Sequence, residues 1–323
     1  MPLVDSTYNP SFWFRNPHFN TIFRTLFSPI KQVYTRERLE LPDGDFMDID
    51  MNLVEGSQTV AILFHGLEGS SESKYMLSAS KCLEQHDINT LSVNFRGCSG
   101  EDNRIYTSYH SGKTEDIEAV VSHVVQKFPE KNIVLIGYSM GGNMLLKFLG
   151  EQGKSIHPKI KVAIAVSVPC DLASSSAALS LPRNRVYIKR FLRTLKKKAF
   201  EKLDKYPNAP LNREKIAACT NFTQFDDMYT APSNGFKNAQ DYWNKCSCLN
   251  TIDSIKIPTL LINAKDDTFL TPSCFPIAQA EKHEYLHLEM PALGGHVGFN
   301  SKIGSQNGFW LEHRILQFAA SQL

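Results

Sequence analysis

Neither sign of charge prevails in this chain of 323 residues, where 35 Lys and Arg stand against 33 Asp and Glu for a net charge of +2. That is far from the basic footprint of a nucleic-acid-binding domain, so nucleic acid is not an expected partner. No run approaches the roughly 18 apolar residues of a spanning helix, which excludes a transmembrane segment. Met1 to Phe14 lack a basic start and are interrupted by Asp5, Asn9 and Pro10, so they do not read as a signal peptide. The seven cysteines are odd in number, scattered and without a CxxC pair. A small secreted disulfide framework is thereby excluded, and a reducing, cytoplasmic compartment is expected. Cys246 and Cys248 offer two metal ligands, but no further Cys/His pair stands at finger spacing, so no metal is expected. GxGxxG, Walker and HExxH motifs are missing too, and no cofactor is implied. Repeats and low-complexity tracts are also lacking.

What is present is ordinary globular composition, 42% hydrophobic and 21% charged, on a chain long enough for one large α/β fold carrying an insertion. Short β-rich runs recur at Val60 to Phe64, Thr90 to Phe95, Asn132 to Ile136, Val162 to Val168, Thr259 to Asn263 and Leu286 to Met290. Most are continuously apolar, as strands covered on both faces of a parallel sheet must be. Helical periodicity fills the gaps. Ile117, Val120, Val121, Val124 and Val125 follow the i, i+3, i+4 rule, with Glu115, Asp116 and Glu118 in the first turn, where the macrodipole favours acid. The alternation predicts a mostly parallel, doubly wound α/β sheet. An Asp43-Gly44 turn between two alternating segments adds an antiparallel hairpin at the edge. His283, Tyr285 and His287 would share one face of a strand-like stretch in a structural role.

About 90 residues separate the strand ending near Val168 from that beginning near Thr259, too many for one crossover. The spacing predicts a structured insertion over about 171–250, within a single domain spanning 1–323. Its stripe of Ile188, Phe191, Leu192, Leu195, Ala199 and Leu203 faces away from Lys189, Arg190, Arg193, Lys196, Lys197, Lys198, Lys202 and Lys205. Such a helix either packs its stripe on the domain below or makes transient contact with an anionic membrane surface.

The chemistry concentrates around Gly137-Tyr138-Ser139-Met140-Gly141, a GxSxG between a buried strand and a helix, the context of a nucleophile elbow. Glycines two positions either side are needed because side chains there would strike neighbouring backbone. A base and an orienting acid are expected in the order Ser, Asp, His. Asp266 and Asp267 follow the strand Thr259 to Asn263, and His296 lies in Gly-Gly-His-Val-Gly after the last strand. His296 would take the proton from Ser139, and the aspartate would fix its tautomer. After the strand Val60 to Phe64, His65-Gly66-Leu67-Glu68-Gly69 stands where an oxyanion loop belongs, so the oxyanion donors are assigned to the N–H groups of Leu67 and Met140. His65 would brace that loop. Arg96 either binds a substrate carboxylate or, as preferred here, stiffens its loop by pairing with Glu101 or Asp116.

The pieces "HGLEGSSESKY", "NFRGCSGEDNR", "YHSGKTED", "GYSMGGN", "FDDMYTAP", "IPTLLINAKDDTFL" and "GGHVGF" resemble the YheT-like branch of the α/β-hydrolase superfamily, from about Asn16 to the C-terminus. The elbow is shared by α/β-hydrolases generally, whereas "NFRGCSG", "YHSG" and "FDD" are much more specific to this branch. The resemblance implies a lidded serine carboxylic ester hydrolase acting on short- to medium-chain acyl esters or acylglycerols. It places Ser139, an aspartate of "DD" and His296 as the triad. In many α/β-hydrolases the acid follows a small residue by three positions and precedes a proline by four or five, which selects Asp267 over Asp266. Acyl transfer to an alcohol would use the same triad, and a binding protein would have kept only the fold. Relatives with a membrane-spanning N-terminus exist, but that feature does not carry over to this chain.

Overall fold

The computed structural model describes residues 3–301 and 309–323. Among them nine strands form one sheet: β1 (Leu3–Val4), β2 (Thr35–Glu40), β3 (Phe46–Asn52), β4 (Thr59–Phe64), β5 (Asn89–Asn94), β6 (Asn132–Tyr138), β7 (Ile160–Val166), β8 (Thr259–Ile262) and β9 (Leu286–Glu289). Their order is β1-β9-β8-β7-β6-β4-β5-β3-β2. The pairs from β1 through β5 are parallel, and only β3 against β5 and β2 against β3 run antiparallel. The Asp43-Gly44 turn does form the hairpin of β2 and β3, with Gly44 at φ 83°.

Strand β6 shows why the sheet is wound on both faces. Ile133 and Leu135 join an apolar cluster with Ile117 and Val120 of α3 (Thr114–Lys127) and Met144 and Leu145 of α4 (Met140–Gln152). Val134, Ile136 and Tyr138 point oppositely, toward Met76 and Leu83 of α2 (Lys74–Glu84) and Leu311 and Ile315 of the last helix, Trp310–Ala320. Period-two alternation with both sets apolar requires cover on both faces, and each such side chain contributes about 1.5–3 kcal/mol when buried.

Strand ends depart from the expected bounds. β7 stops at Val166, two residues short of Val168, where Ser167 adopts φ 53° while its N–H still meets the Ile262 carbonyl at 2.8 Å. β8 stops at Ile262; the next residue, Asn263, keeps a backbone bond to the Glu289 carbonyl (3.1 Å) while its side chain binds the N–H and C=O of Val168. His283 and Tyr285 lie before β9, so the shared strand face expected for His283, Tyr285 and His287 does not form. His283 Nδ1 instead accepts the N–H groups of Tyr285 and Leu286 in a turn.

The long segment after β7 is helical. It includes α5 (Leu172–Leu179), α6 (Arg185–Lys205) and shorter pieces at Arg213–Ala218, Phe222–Phe225, Asp226–Thr230 and Ala239–Cys246. Ile188, Leu192 and Ala199 of α6 are buried with Ile216, Phe222 and Phe225, so the stripe packs inside the insertion. Lys189, Arg190, Arg193, Lys197 and Lys205 of the basic side are exposed, whereas Lys202 is buried, donating to Asp102 and to the Asn103 and Ile105 carbonyls, and Lys198 turns inward to Glu68. Ahead of β2 lies a helix not anticipated from the sequence, α1 (Pro17–Phe27). Asn16 caps it by accepting the Phe19 N–H, and Pro17 fills its first position, where the missing N–H costs nothing.

Arg96, just after β5, pins the β2–β3 turn to α3. Its guanidinium donates to Asp116 (2.7 and 2.8 Å), Asp43 (2.7 Å) and Asp45 (3.0 Å), and Arg96, Asp45 and Asp116 are all buried. Glu101, the other partner considered for it, pairs with Arg38. Removing the cation strands two buried carboxylates, a loss of about 3–5 kcal/mol. Urea denaturation of Arg96→Ala should show that loss at pH 8 and a smaller one at pH 5, where the stranded carboxylates can take up protons. A loss below about 1 kcal/mol at both values would remove Arg96 from this structural role.

Candidate active site

Ser139 sits between β6 and α4 at φ 52° and ψ −119°, a strained conformation costing on the order of 1–3 kcal/mol. Its N–H is held by the Val166 carbonyl at 2.8 Å. A Cβ on Gly137 would stand 2.6 Å from the Gly141 carbonyl oxygen, and one on Gly141 would stand 2.5 and 2.6 Å from those of His65 and Phe64. Backbone therefore fills both positions, and the turn closes only with glycine there.

His296 Nε2 lies 2.8 Å from Ser139 Oγ, and His296 Nδ1 lies 2.8 Å from Asp267 Oδ2. The carboxylate accepts, so Nδ1 carries the proton and Nε2 is free to accept the Ser139 hydroxyl. Asp267 is held in turn by the Phe269 N–H at 2.9 Å, and the Phe269 ring lies against the imidazole, tilted by 33° with centroids 4.2 Å apart. Asp266 turns the other way and accepts the Gly295 N–H at 2.9 Å, with burial pushing its pKa up. The geometry thus brings Ser139, His296 and Asp267 together and leaves Asp266 bracing the histidine loop.

Leu67 and Met140 both line the cleft beside Ser139. Among the described residues no acceptor binds the N–H of either, and that of Met140 opens α4, where helices leave donors free. His65 is fully buried. Its Nδ1 donates to the Gly66 carbonyl (2.7 Å) and its Nε2 accepts the Phe95 N–H (3.1 Å). Burial holds its pKa at about 4, so it is a neutral strut joining the loop after β4 to that after β5.

Several contacts at the site were not foreseen. The His296 N–H donates to Thr21 Oγ1 of α1 (2.9 Å), and the Val297 N–H donates to Ser167 Oγ (2.9 Å). Asn20 of α1 binds Asn300 through backbone and side chain. The Asn16-Pro17 cap was a readable signal for α1, but nothing local told of its contact with the histidine loop 275 residues away. Glu68, at φ 55°, accepts from Tyr109 Oη (2.6 Å) and from Lys198 Nζ of α6 (2.9 Å), which ties the insertion to the loop bearing Leu67. Asn143 of "GGN" binds the carbonyls of Ser111 and Cys246 and the N–H of Cys248, joining α4 to both neighbouring loops.

Two clefts meet at Ser139. One runs under the insertion past Leu179, Phe191, Leu195, Phe222, Phe225 and Tyr229 and is mainly apolar. The other opens between α1, the loop after β4 and α6, past Thr21, Thr25, Ser70, Ser73, Lys74 and Arg190, and is more polar. Among the described residues no group of three or more His, Cys, Asp or Glu could hold a metal, and no helix is long and apolar enough to cross a membrane.

Residues 60–274 match the family model described as the alpha/beta hydrolase fold. The chain is 34% identical to YheT of Escherichia coli (strain K12), named as a candidate esterase, over 96% of this chain and 92% of that protein. It is 27% identical to the mouse phospholipase ABHD3 over all of this chain and 80% of that one. Among solved structures, the esterase Pf2001 of Pyrococcus furiosus superposes with a TM-score of 0.60 at 20% identity, covering 90% of each chain, a likeness of fold. The protein belongs to the α/β-hydrolase fold family. Within it, the similarity to YheT spans nearly the full length of both chains.

Asp226, of the "FDD" piece, is buried in the wall of the apolar cleft, accepting from Thr230 Oγ1 (2.7 Å) and Trp243 Nε1 (2.9 Å). Burial pushes its pKa up to about 6, against the lowering effect of those bonds. A folded pKa above the unfolded one means that protonation favours the fold. The contribution is full below the unfolded value of 3.8 and is lost as pH rises through about 6. Asp226→Asn should therefore match the wild type in stability at pH 4 and exceed it at pH 8, by on the order of 3 kcal/mol. Parallel denaturation curves at the two pH values check this, and a difference independent of pH would contradict it.

Proposed function

We propose that the protein is a serine carboxylic ester hydrolase working through an acyl-enzyme on Ser139, with short- to medium-chain acyl esters or acylglycerols as substrates. The observation that carries this reading is the unbroken relay from Ser139 Oγ through His296 to Asp267, with both bonds at 2.8 Å. Ser139 Oγ attacks the ester carbonyl carbon while its proton passes to His296 Nε2, and Asp267 stabilises the imidazolium. The carbonyl oxygen becomes an oxyanion facing the N–H groups of Leu67 and Met140, aided by the positive end of α4. Collapse breaks the C–O bond, and the departing alkoxide takes the proton from His296. Water gives a proton to His296 Nε2 as it attacks the acyl carbon; collapse breaks the acyl–Oγ bond, Ser139 Oγ takes that proton back, and the carboxylic acid leaves.

The two clefts divide the ester. The acyl chain lies in the apolar one beneath the insertion over about 171–250, which serves as the lid, and the alcohol leaves through the more polar one. All seven cysteines are free and all but Cys98 are buried, in keeping with a cytoplasmic enzyme. The relatives' names, a candidate esterase and a phospholipase, are of the same chemical class.

Hydrolysis of a nitrophenyl ester series tests this. Ser139→Ala should lose on the order of 10⁴ or more in kcat, Asp267→Asn should lose far more than Asp266→Asn, and wild-type kcat/KM should rise severalfold per two carbons from acetate until the cleft is full. Full turnover by Ser139→Ala would refute the reading. A larger loss in Asp266→Asn than in Asp267→Asn would reassign the acid, and a flat chain-length profile would leave the insertion as packing alone.

A further inference from the structure

The Phe12–Arg15 turn and α1 leave more apolar surface in water than a packed domain ordinarily does. Phe12, Trp13, Leu26 and Phe27 are 76, 64, 63 and 61% exposed. Single exposed apolar side chains need no explanation, but four large ones within 16 residues on one turn and helix do. The Phe14 ring meets Phe23 at 4.8 Å and fixes the turn against α1. His18 binds and stacks on Tyr187 in the first turn of α6, where the neighbouring Val186 is 78% exposed.

The same end of α6 is basic. Arg183, Arg185, Lys189, Arg190 and Arg193 are all exposed, and among the described residues none is paired with a carboxylate. The apolar stripe of α6 is already spent in packing, which leaves this charge without an internal purpose. The more polar of the two clefts at Ser139 opens between the two features, lined by Thr21, Ile22 and Thr25 of α1 and by Arg190 and Thr194 of α6. Of the two carboxylates lining it, Glu68 is paired with Lys198, and only Glu72 is exposed.

From this juxtaposition we propose that the Phe12–Arg15 turn, α1 and the start of α6 form a docking face for an anionic lipid surface, with the mouth of the Ser139 cleft turned toward it. Apolar side chains beside unpaired cations are the combination that seats a protein at the headgroup boundary of a negatively charged bilayer. A second copy is the poorer occupant, because a two-fold contact through this face would set its cations against themselves. The docking needs no chemistry at Ser139. Together with the proposed hydrolase activity, it would bring water-insoluble esters to the cleft without a passage through bulk solvent.

Trp13 supplies the readout, since Trp243 is buried and Trp310 is packed against Tyr8 and Phe299. Mixed phosphatidylcholine and phosphatidylglycerol vesicles at low salt should shift the emission of the intact protein to shorter wavelength and carry it into the pellet on sedimentation. Phosphatidylcholine alone should do so far less. Trp13→Phe should lose the shift, and the combined variant Arg185→Glu, Lys189→Glu, Arg193→Glu should lower partitioning about tenfold or more. Leu26→Ser should weaken binding while hydrolysis of a water-soluble nitrophenyl ester stays unchanged, which also shows that the variant folds. An absent shift with no sedimentation overturns the proposal. Self-association abolished by Leu26→Ser would overturn it as well, in favour of a second copy. Failure of the esterase reading would leave the vesicle measurements untouched, so the two can fall separately.

Discussion

Everything at the candidate site hangs on the close approach of backbone around Ser139. The serine stands at φ 52° because β6 must turn into α4 within one residue, and the turn closes only because no Cβ intrudes from Gly137 or Gly141. The strain is sustained by the burial of β6 on both faces and by the Val166 carbonyl that grips the Ser139 N–H. The same turn lifts the Ser139 side chain out of the sheet and starts α4 directly beneath it, so one steric constraint positions both the hydroxyl and the Met140 N–H. The loop after β4 completes the arrangement from the neighbouring strand, with the neutral His65 holding it to the loop after β5.

The histidine is held differently. His296 lies on a loop whose shape is set by polar contacts from distant parts of the chain: Thr21 and Asn20 of α1, Ser167 after β7, and Asp266 after β8. Four side-chain acceptors from three separate stretches of chain take the N–H groups of Gly295, His296, Val297 and Asn300, so the imidazole can meet both Ser139 and Asp267 without a regular element beneath it. Charges are handled in a similar way. Arg96 is surrounded by three aspartates and Arg24 by Glu312, so buried ions serve as struts between loops, each stable only while its partners remain.

The sheet was legible in the sequence because its strands are apolar on both faces and its helices keep the i, i+3, i+4 rule, and because GxSxG has a steric cause that spacing alone reveals. Ser139, His296 and Asp267 could be named in advance from order and counting, and the fold brings them within hydrogen-bond reach. Other features have no local signature. The early end of β7 falls beside one residue at positive φ, Ser167, which no pattern marks. The partnership of α1 with the histidine loop, and that of Lys198 with Glu68, join residues 275 and 130 positions apart through single polar contacts. For Arg96 the sequence offered Glu101 and Asp116, whereas the fold adds Asp43 and Asp45 through a hairpin whose placement depends on the whole sheet.

In the proposed mechanism, Ser139 is a nucleophile whose reactivity comes from this fold rather than from serine as such. Treatment of the native protein with a fluorophosphonate, followed by peptide mapping, tests it most directly, because the reagent needs an activated hydroxyl and no knowledge of the natural ester. One modified residue, Ser139, is expected in folded protein, with no modification after unfolding or in Ser139→Ala. Labelling of another residue, or none in folded protein, would contradict it.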